Sequence, residues 1–220
     1  MKKMFDKVLF DLDGTITDSK EGIFKSIRYA YDKMGLEQPE DDFLMSFLGP
    51  PLWDSFVHKV GLSEKDAEKG VAFFRERFQP LGIYENKLFP GMTELLHLLS
   101  QRNDLKIYIA TAKPLPSAIR VLEYFKIIKY FDDISGATFD GTISGKTQVI
   151  ANLIDKFEPD FNRERTLMIG DRDHDIYGAK ENGIKSLGVL YGYGNMEEIK
   201  EADYLVDSVQ ELQKFLLGGK

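Results

Sequence analysis

The feature that most constrains this chain is a short apolar run that recurs along it, the first of them ending in acids. Lys7 to Asp13 (KVLFDLD) is the first, followed by Leu105 to Ala112, Thr166 to Asp171, Lys185 to Tyr191 and Tyr204 to Asp207. Nearly continuous runs of this length suit strands buried on both faces of a parallel sheet. Between them apolar residues fall three and four apart: Met92, Leu95, Leu96 and Leu99; Ile119, Leu122 and Phe125; Val149, Ile150, Leu153, Ile154 and Phe157. That is the period of helices with one buried face. Strand alternating with helix predicts an α/β fold, a Rossmann-like parallel sheet covered by helices on both faces, with its site outside the carboxyl ends of the strands.

Residues 19 to 88 break the rhythm. They hold helical periodicities (Ile23, Ile27, Ala30, Tyr31 and Met34; Val71, Phe74 and Phe78) and no convincing alternating strand. We read them as a helical insert, with Gly49-Pro50-Pro51 as an internal turn and Phe89-Pro90-Gly91 marking the return to the sheet. The predicted domains are therefore a core of residues 1–18 with 89–220 and an inserted α-helical cap of residues 19–88. The periodicity alone fits helices that cover a site and helices that pack on a sheet edge equally well. At 220 residues there is room for one sizeable core carrying a smaller insert.

Composition narrows the chemistry. A formal net charge of −7 opposes a general grip on a nucleic acid backbone, which needs clustered Lys and Arg. The absence of cysteine excludes disulfides, thiolate catalysis and Cys-based zinc sites. It also fits a cytoplasmic protein. Met1-Lys2-Lys3 is the kind of start a secretion signal has, but Asp6, Lys7, Asp11 and Asp13 interrupt the apolar stretch that would be its core, so none is expected. No apolar run approaches the ~18 residues that span a bilayer.

Four places carry chemistry. Asp11-Leu12-Asp13-Gly14-Thr15 sets two carboxylates two residues apart at a strand end, on one side for as long as the strand persists. One carboxylate can attack phosphorus while the other passes a proton to the leaving oxygen and then activates water. Acids at a strand end also serve as turn formers and caps. Gly170-Asp171-Arg172-Asp173-His174-Asp175 adds three more acids at another strand end, and that density calls for a hard divalent cation such as Mg2+. A calcium loop is excluded, because Ile176 stands where it needs glycine and Asn182 where it needs glutamate. Thr111 can donate a hydrogen bond to a phosphoryl oxygen or be merely structural. Lys146, opening the helix that holds Val149 and Ile150, can neutralise transition-state charge or be a solvated surface residue. Gly145-Lys146-Thr147 is not the tail of a P-loop, since the earlier glycine, Gly141, is one residue too near.

Taken in order, Asp11-Leu12-Asp13-Gly14-Thr15, Thr111, Lys146 and Gly170-Asp171 with Asp175 resemble the motifs of the haloacid dehalogenase superfamily of phosphatases along the whole chain. Asp18-Ser19, Thr111-Ala112-Lys113-Pro114 and Gly170-Asp171-Arg172 are most similar to its phosphoglycolate phosphatase-like and 5′-nucleotidase-like members, and the insert resembles that superfamily's small helical cap. The resemblance implies a soluble Mg2+-dependent phosphatase acting on a small phosphorylated metabolite. Asp11 would be nucleophile and metal ligand, and Asp13 general acid and base, with its carbonyl on the metal. Thr111 would hold the phosphoryl group, Lys146 would steady Asp11 and the transferring charge, Asp171 would ligate the metal directly, and Asp175 would act on it through water or a hydrogen bond. Asp173 stays outside the metal set and His174 is taken as a surface residue. Ala112, Lys113, Lys25 and Gly49 are the remaining candidate substrate contacts. Phe47, Trp53 and Phe56 either stack on a nucleobase or form the core of the cap.

Two other functions share this chemistry. A sugar-phosphate mutase of the β-phosphoglucomutase kind has the same core motifs. A signalling receiver module uses a phosphorylated aspartate, but its paired acids are adjacent and no long insert follows them, whereas Leu12 separates the acids here. Asp13 sets the chain apart from the dehalogenases of the superfamily, which lack that acid.

Overall fold

The structure is a computed structural model that describes residues 5–157, 159 and 161–218. Met1, Lys2 and Lys3, weighed above as the start of a secretion signal, lie outside the described residues. The chain forms two compact units, one of residues 18–87 and one of the flanking segments 1–17 and 88–220.

The larger unit is built on a six-stranded parallel sheet. Its strands are β1 (Lys7–Phe10), β4 (Lys106–Pro114), β5 (Asp133–Ala137), β6 (Thr166–Gly170), β7 (Lys185–Val189) and β8 (Tyr204–Val206), in the order β5-β4-β1-β6-β7-β8. The short strands β2 (Thr17–Asp18) and β3 (Lys87–Leu88) pair where the chain leaves this unit and returns to it. β1 is central and fully covered: Val8, Leu9 and Phe10 have no exposed surface. Helices α5 (Met92–Ser100), α6 (Leu115–Tyr124), α7 (Lys146–Phe157), α8 (Asp173–Glu181), α9 (Met196–Ile199) and α10 (Val209–Leu217) belong to this unit. The three- and four-residue spacing read in α7 is its buried face: Val149, Ile150, Leu153 and Ile154 pack with Leu9, Tyr108, Ala110 and Met168.

Register places the site. Phe10 pairs with Ile109 of β4 on one side and with Ile169 of β6 on the other. The residues that follow, Asp11, Ala110 and Gly170, therefore lie side by side at the carboxyl end of β1. The sheet order also reverses across β1, so this edge is the topological switch point where ligands of open α/β sheets bind.

The sequence reading differs from the structure in two elements. β5 was not anticipated, because Asp-Ile-Ser-Gly-Ala has no apolar run; as an edge strand with one neighbour it needs none. β1 also ends at Phe10 instead of running on to Asp13. From Leu12 the backbone closes a tight turn, its carbonyl accepting from the N–H groups of Ile16 and Thr17 at 2.9 Å each, while Gly14 donates to Thr17 O at 2.7 Å. The side chains of the two acids meet different partners there, Lys146 for Asp11 and Lys113 for Asp13.

The smaller unit contains α1 (Lys20–Met34), α2 (Asp41–Met45), α3 (Leu52–His58) and α4 (Glu64–Phe78). Ile27, Ala30, Tyr31, Leu44, Phe47, Phe56 and Ala67 form its core. Phe47 and Phe56 meet edge to face at 5.7 Å, so both are packing residues and neither offers a face to a base. Trp53 lies at the margin of the same cluster. The predicted turn is present: Gly49 takes φ +111°, and Pro51 directly precedes α3. No helix among the described residues is long and apolar enough to cross a membrane.

Candidate active site

Asp11 leaves the carboxyl end of β1 buried, and its backbone N–H still donates to Ile169 O at 2.9 Å. Lys146, the first residue of α7, brings its ammonium to 2.7 Å from Asp11 Oδ1, 2.8 Å from Asp175 Oδ1 and 2.9 Å from the carbonyl of Ala110. An ammonium has three donors, and here each has an acceptor, so the charge is fixed in direction as well as place. Lys146 is 3% exposed, which overturns the surface alternative.

Asp171 follows β6 and is fully buried. The Thr15 hydroxyl donates to its Oδ1 at 3.2 Å and the Tyr193 backbone N–H to its Oδ2 at 2.8 Å. Tyr191 ties down the same corner by donating to Thr15 O at 2.9 Å. Asp175 sits in the first turn of α8, its Oδ2 accepting from the Arg172 N–H at 3.1 Å in a capping box. Glycine makes the approach possible: a Cβ on Gly14, at φ +90°, would lie 2.2 Å from Asp171 Oδ2, and one on Gly194 would lie 1.9 Å from the Asp171 carbonyl.

Asp11, Asp171 and Asp175 thus bring one carboxylate oxygen each to within 4.8 Å of one another, all three buried. Three buried carboxylates are answered by a single buried ammonium, and the imbalance shows in their titration. Burial raises Asp171 to about 7, with Asp175 and Asp11 adding to the effect. Burial also raises Asp11, against the pull of Lys146. For Asp175 burial acts in the same direction, but Lys146 and His174 overcome it and hold the group below the usual carboxylate range. Burial works to lower Lys146, yet Asp11 and Asp175 hold it above its ordinary value. A cluster of hard oxygen donors with excess negative charge is a fitting site for a divalent cation such as Mg2+.

Asp13 stands apart from this trio. Lys113, at the end of β4 and 9% exposed, lies 2.7 Å from Asp13 Oδ2, and the Thr17 hydroxyl reaches Oδ1 at 3.3 Å. Thr111 is buried on the same strand end, and its Oγ1 accepts from the Lys113 N–H at 3.2 Å. Ala112 lies between them in β4. Asp173 opens α8, its Oδ1 accepting from the His174 N–H at 2.7 Å, and lies outside the carboxylate trio. His174 is corrected from a surface residue: both ring nitrogens are enclosed, and Nδ1 lies 3.5 Å from Asp175 Oδ1. Burial lowers its imidazole, but Asp175 more than offsets this and leaves it raised. Lys25 and Gly49 belong to the helical unit, where Lys25 is held by Glu21 at 2.7 Å and Glu85 at 2.9 Å. Thr17 and Tyr193 were missed in the sequence, and Thr15, though part of the first motif, was given no role of its own. A glycine-rich Gly192-Tyr193-Gly194 just beyond the β7 run was the available sign of a backbone in close approach.

A family model described as haloacid dehalogenase-like hydrolase matches residues 8–189, a stretch that contains Asp11, Asp13, Thr111, Lys113, Lys146, Asp171 and Asp175. The chain belongs to the haloacid dehalogenase-like hydrolase family. It is an enzyme of that family's hydrolase type, in the branch like phosphoglycolate phosphatases and 5′-nucleotidases. A 5′-nucleotidase of Pseudomonas aeruginosa is 40% identical over 196 residues, covering 89% of this chain and 87% of its own. Tyrosine-protein kinase PtkA of Mycobacterium tuberculosis is 37% identical over 199 residues, covering 90% of this chain and 67% of its own. The crystal structure of a predicted phosphatase from Clostridium acetobutylicum superposes with a TM-score of 0.91 at 39% identity, covering 98% of this chain and 99% of that one. Between 89% and 98% of this chain is therefore shared with these relatives.

Proposed function

We propose that this hydrolase cleaves the phosphate monoester of a small metabolite, a nucleoside 5′-monophosphate before phosphoglycolate, with Mg2+ as cofactor and Asp11 as nucleophile. The observation that carries it is the buried ion pair of Asp11 and Lys146 at the carboxyl end of the central strand, beside the carboxylates of Asp171 and Asp175. Mg2+ bound by Asp11, Asp171 and Asp175 would supply charge neutralisation for the phosphoryl oxygens.

The rest follows from the protein's own groups. Lys146 opposes the effect of burial on Asp11 and fixes it in one orientation, so its free oxygen can attack phosphorus and form an acyl phosphate while the bond to the leaving oxygen breaks. Asp13 gives its proton to that oxygen, then takes one from the water that opens the acyl phosphate and regenerates Asp11. Thr111 donates a hydrogen bond to the phosphoryl group. In this scheme residues 19–88 are the cap that excludes water and sets specificity.

The preference for a nucleotide is supported by the higher identity to a 5′-nucleotidase, 40% against 29% to a phosphoglycolate phosphatase from Vibrio parahaemolyticus. The helical unit itself also carries a groove of about 450 Å3 in which Phe24 and Met45 lie among four acids, Asp18, Glu21, Asp41 and Asp42, and two lysines, Lys20 and Lys87. Its aromatic face offers a stacking partner for a base, while its mixed charge neither favours nor opposes a second anion.

The test is release of inorganic phosphate from 5′-AMP, 5′-UMP, 2-phosphoglycolate, glucose 6-phosphate and pyrophosphate, with and without Mg2+, using Asp11→Asn as control. Mg2+-dependent release, highest with the nucleotides and lost in the variant, is the expected result. Isomerised sugar phosphate without net release would point to a mutase instead. A lasting phospho-aspartate would point to a receiver-like role, and phosphate carried to a protein tyrosine to the transferase activity that the M. tuberculosis relative is named for.

A further inference from the structure

Lys113 is the second buried lysine of the site, and its partner is the proton-transferring acid. Its side chain is 6% exposed and its ammonium lies 2.7 Å from Asp13 Oδ2, while the other carboxylate oxygen, Oδ1, faces the Thr17 hydroxyl at 3.3 Å. Asp13 itself is partly exposed, its side chain keeping 22% of its surface. Both ends of the carboxylate are thus engaged, but by groups of different kinds. An ammonium only donates, so the oxygen facing it serves best as the bare, stronger acceptor, and a proton is better placed on the other oxygen. A hydroxyl both donates and accepts, so it can face either the bare or the protonated oxygen.

We propose that Lys113 is a positioning residue for Asp13: it anchors Oδ2, fixes the carboxylate rotamer and makes Oδ1 the single oxygen through which Asp13 passes its proton. This rests on the phosphatase reading above and revises the expectation that Lys113 binds substrate. In the first half-reaction the proton leaves Asp13 Oδ1 for the alkoxide as the phosphorus–oxygen bond breaks. In the second, a water proton goes to Oδ1 as the hydroxide oxygen bonds to phosphorus and Asp11 departs. Lys113 keeps its three protons throughout. The fold supplies the placement: β4 runs in register with β5 up to Thr111 and shifts before Pro114, and Lys113 lies in that irregular stretch.

The experiment compares single-turnover phosphoryl transfer from two esters, p-nitrophenyl phosphate, whose leaving group needs no proton, and an alkyl phosphate, 5′-AMP or whichever ester of the panel is turned over fastest. Lys113→Met is expected to slow transfer from the alkyl ester about 100-fold and from the aryl ester by less than about 3-fold, with KM for both within about 2-fold. Lys113→Arg, whose guanidinium also only donates, is expected to restore most of the alkyl rate. Circular dichroism and the unfolding midpoint establish that each variant folds, and Lys113→Gln replaces Lys113→Met if that one does not. Equal losses on both esters, or no loss on either, overturn the proposal, as does a KM raised on both with kcat kept, which marks a phosphate-binding lysine. If the parent releases no Asp11-dependent phosphate from any ester, the phosphatase reading itself falls and this proposal with it.

Discussion

Lys146 and Asp11 are joined by a 2.7 Å ion pair in which neither partner has appreciable exposure, and the same ammonium reaches Asp175 at 2.8 Å. Three elements far apart in sequence, β1, the start of α7 and the start of α8, converge on that one charge. Removing it leaves two buried carboxylates without their counter-charge. Lys146→Met is therefore expected to destabilise the protein by about 3 kcal/mol in chelator, read as the shift in its urea unfolding free energy. Unchanged stability would show that the pair is not buried in solution.

Asp11→Asn keeps the volume of the side chain and one of its oxygens but removes the nucleophile. Phosphate release should fall by about 10⁴-fold or more, while the unfolding midpoint stays near that of the parent. Residual activity of more than a few per cent would remove Asp11 from the nucleophile's role.

The carboxylate trio predicts that metal and stability are linked. A cation that binds the folded state alone stabilises it by about 2.7 kcal/mol at a hundred times its dissociation constant. Adding Mg2+ to chelator-treated protein should raise Tm, and Asp171→Asn should abolish that rise by removing the carboxylate held between Thr15 and Tyr193. An equal rise in parent and variant would place the cation elsewhere.

Gly14 combines φ +90° with an approach to Asp171 that a Cβ would close to 2.2 Å. Gly14→Ala should cost on the order of 1–3 kcal/mol and weaken the Mg2+-induced rise in Tm, because the turn must open or Asp171 must move. Denaturant titration with and without Mg2+ separates the two effects.

Within the helical unit Glu85 is gripped by Arg77 at 2.8 and 3.1 Å and by Lys25 at 2.9 Å. The Arg77 hydrogen bonds, aided by Lys25 and opposed by burial, hold its carboxyl below the usual range. A depressed acid binds fewer protons folded than unfolded, so its contribution is present above the unfolded value and lost as pH falls through the folded one. Glu85→Gln should lower stability by about 1 kcal/mol at neutral pH, and the difference should vanish in acid below the folded value. A difference that persists there would assign the loss to packing.

Local pattern and long-range contact divide this protein between them. Strand and helix identity rest on the spacing of apolar residues within a dozen positions, so the central strand Val8-Leu9-Phe10, the buried face of α7 and the helical insert could all be read from the order of residues alone. The edge strand β5 could not, since pairing along one side asks little of its side chains. The residue types at the site were legible too, because paired acids at strand ends and a lysine opening a helix carry their chemistry wherever they lie. Their partners were not. Lys146 might as well have been a surface charge until parallel register set Asp11 beside Ala110 and Gly170. Nor was it legible that Asp11 would meet Lys146 while Asp13, two residues on, would meet Lys113, a hundred residues away. Which charges meet depends on where β1 stops, how the chain turns there and which rotamers the packed interior leaves open, and only the tertiary structure decides those.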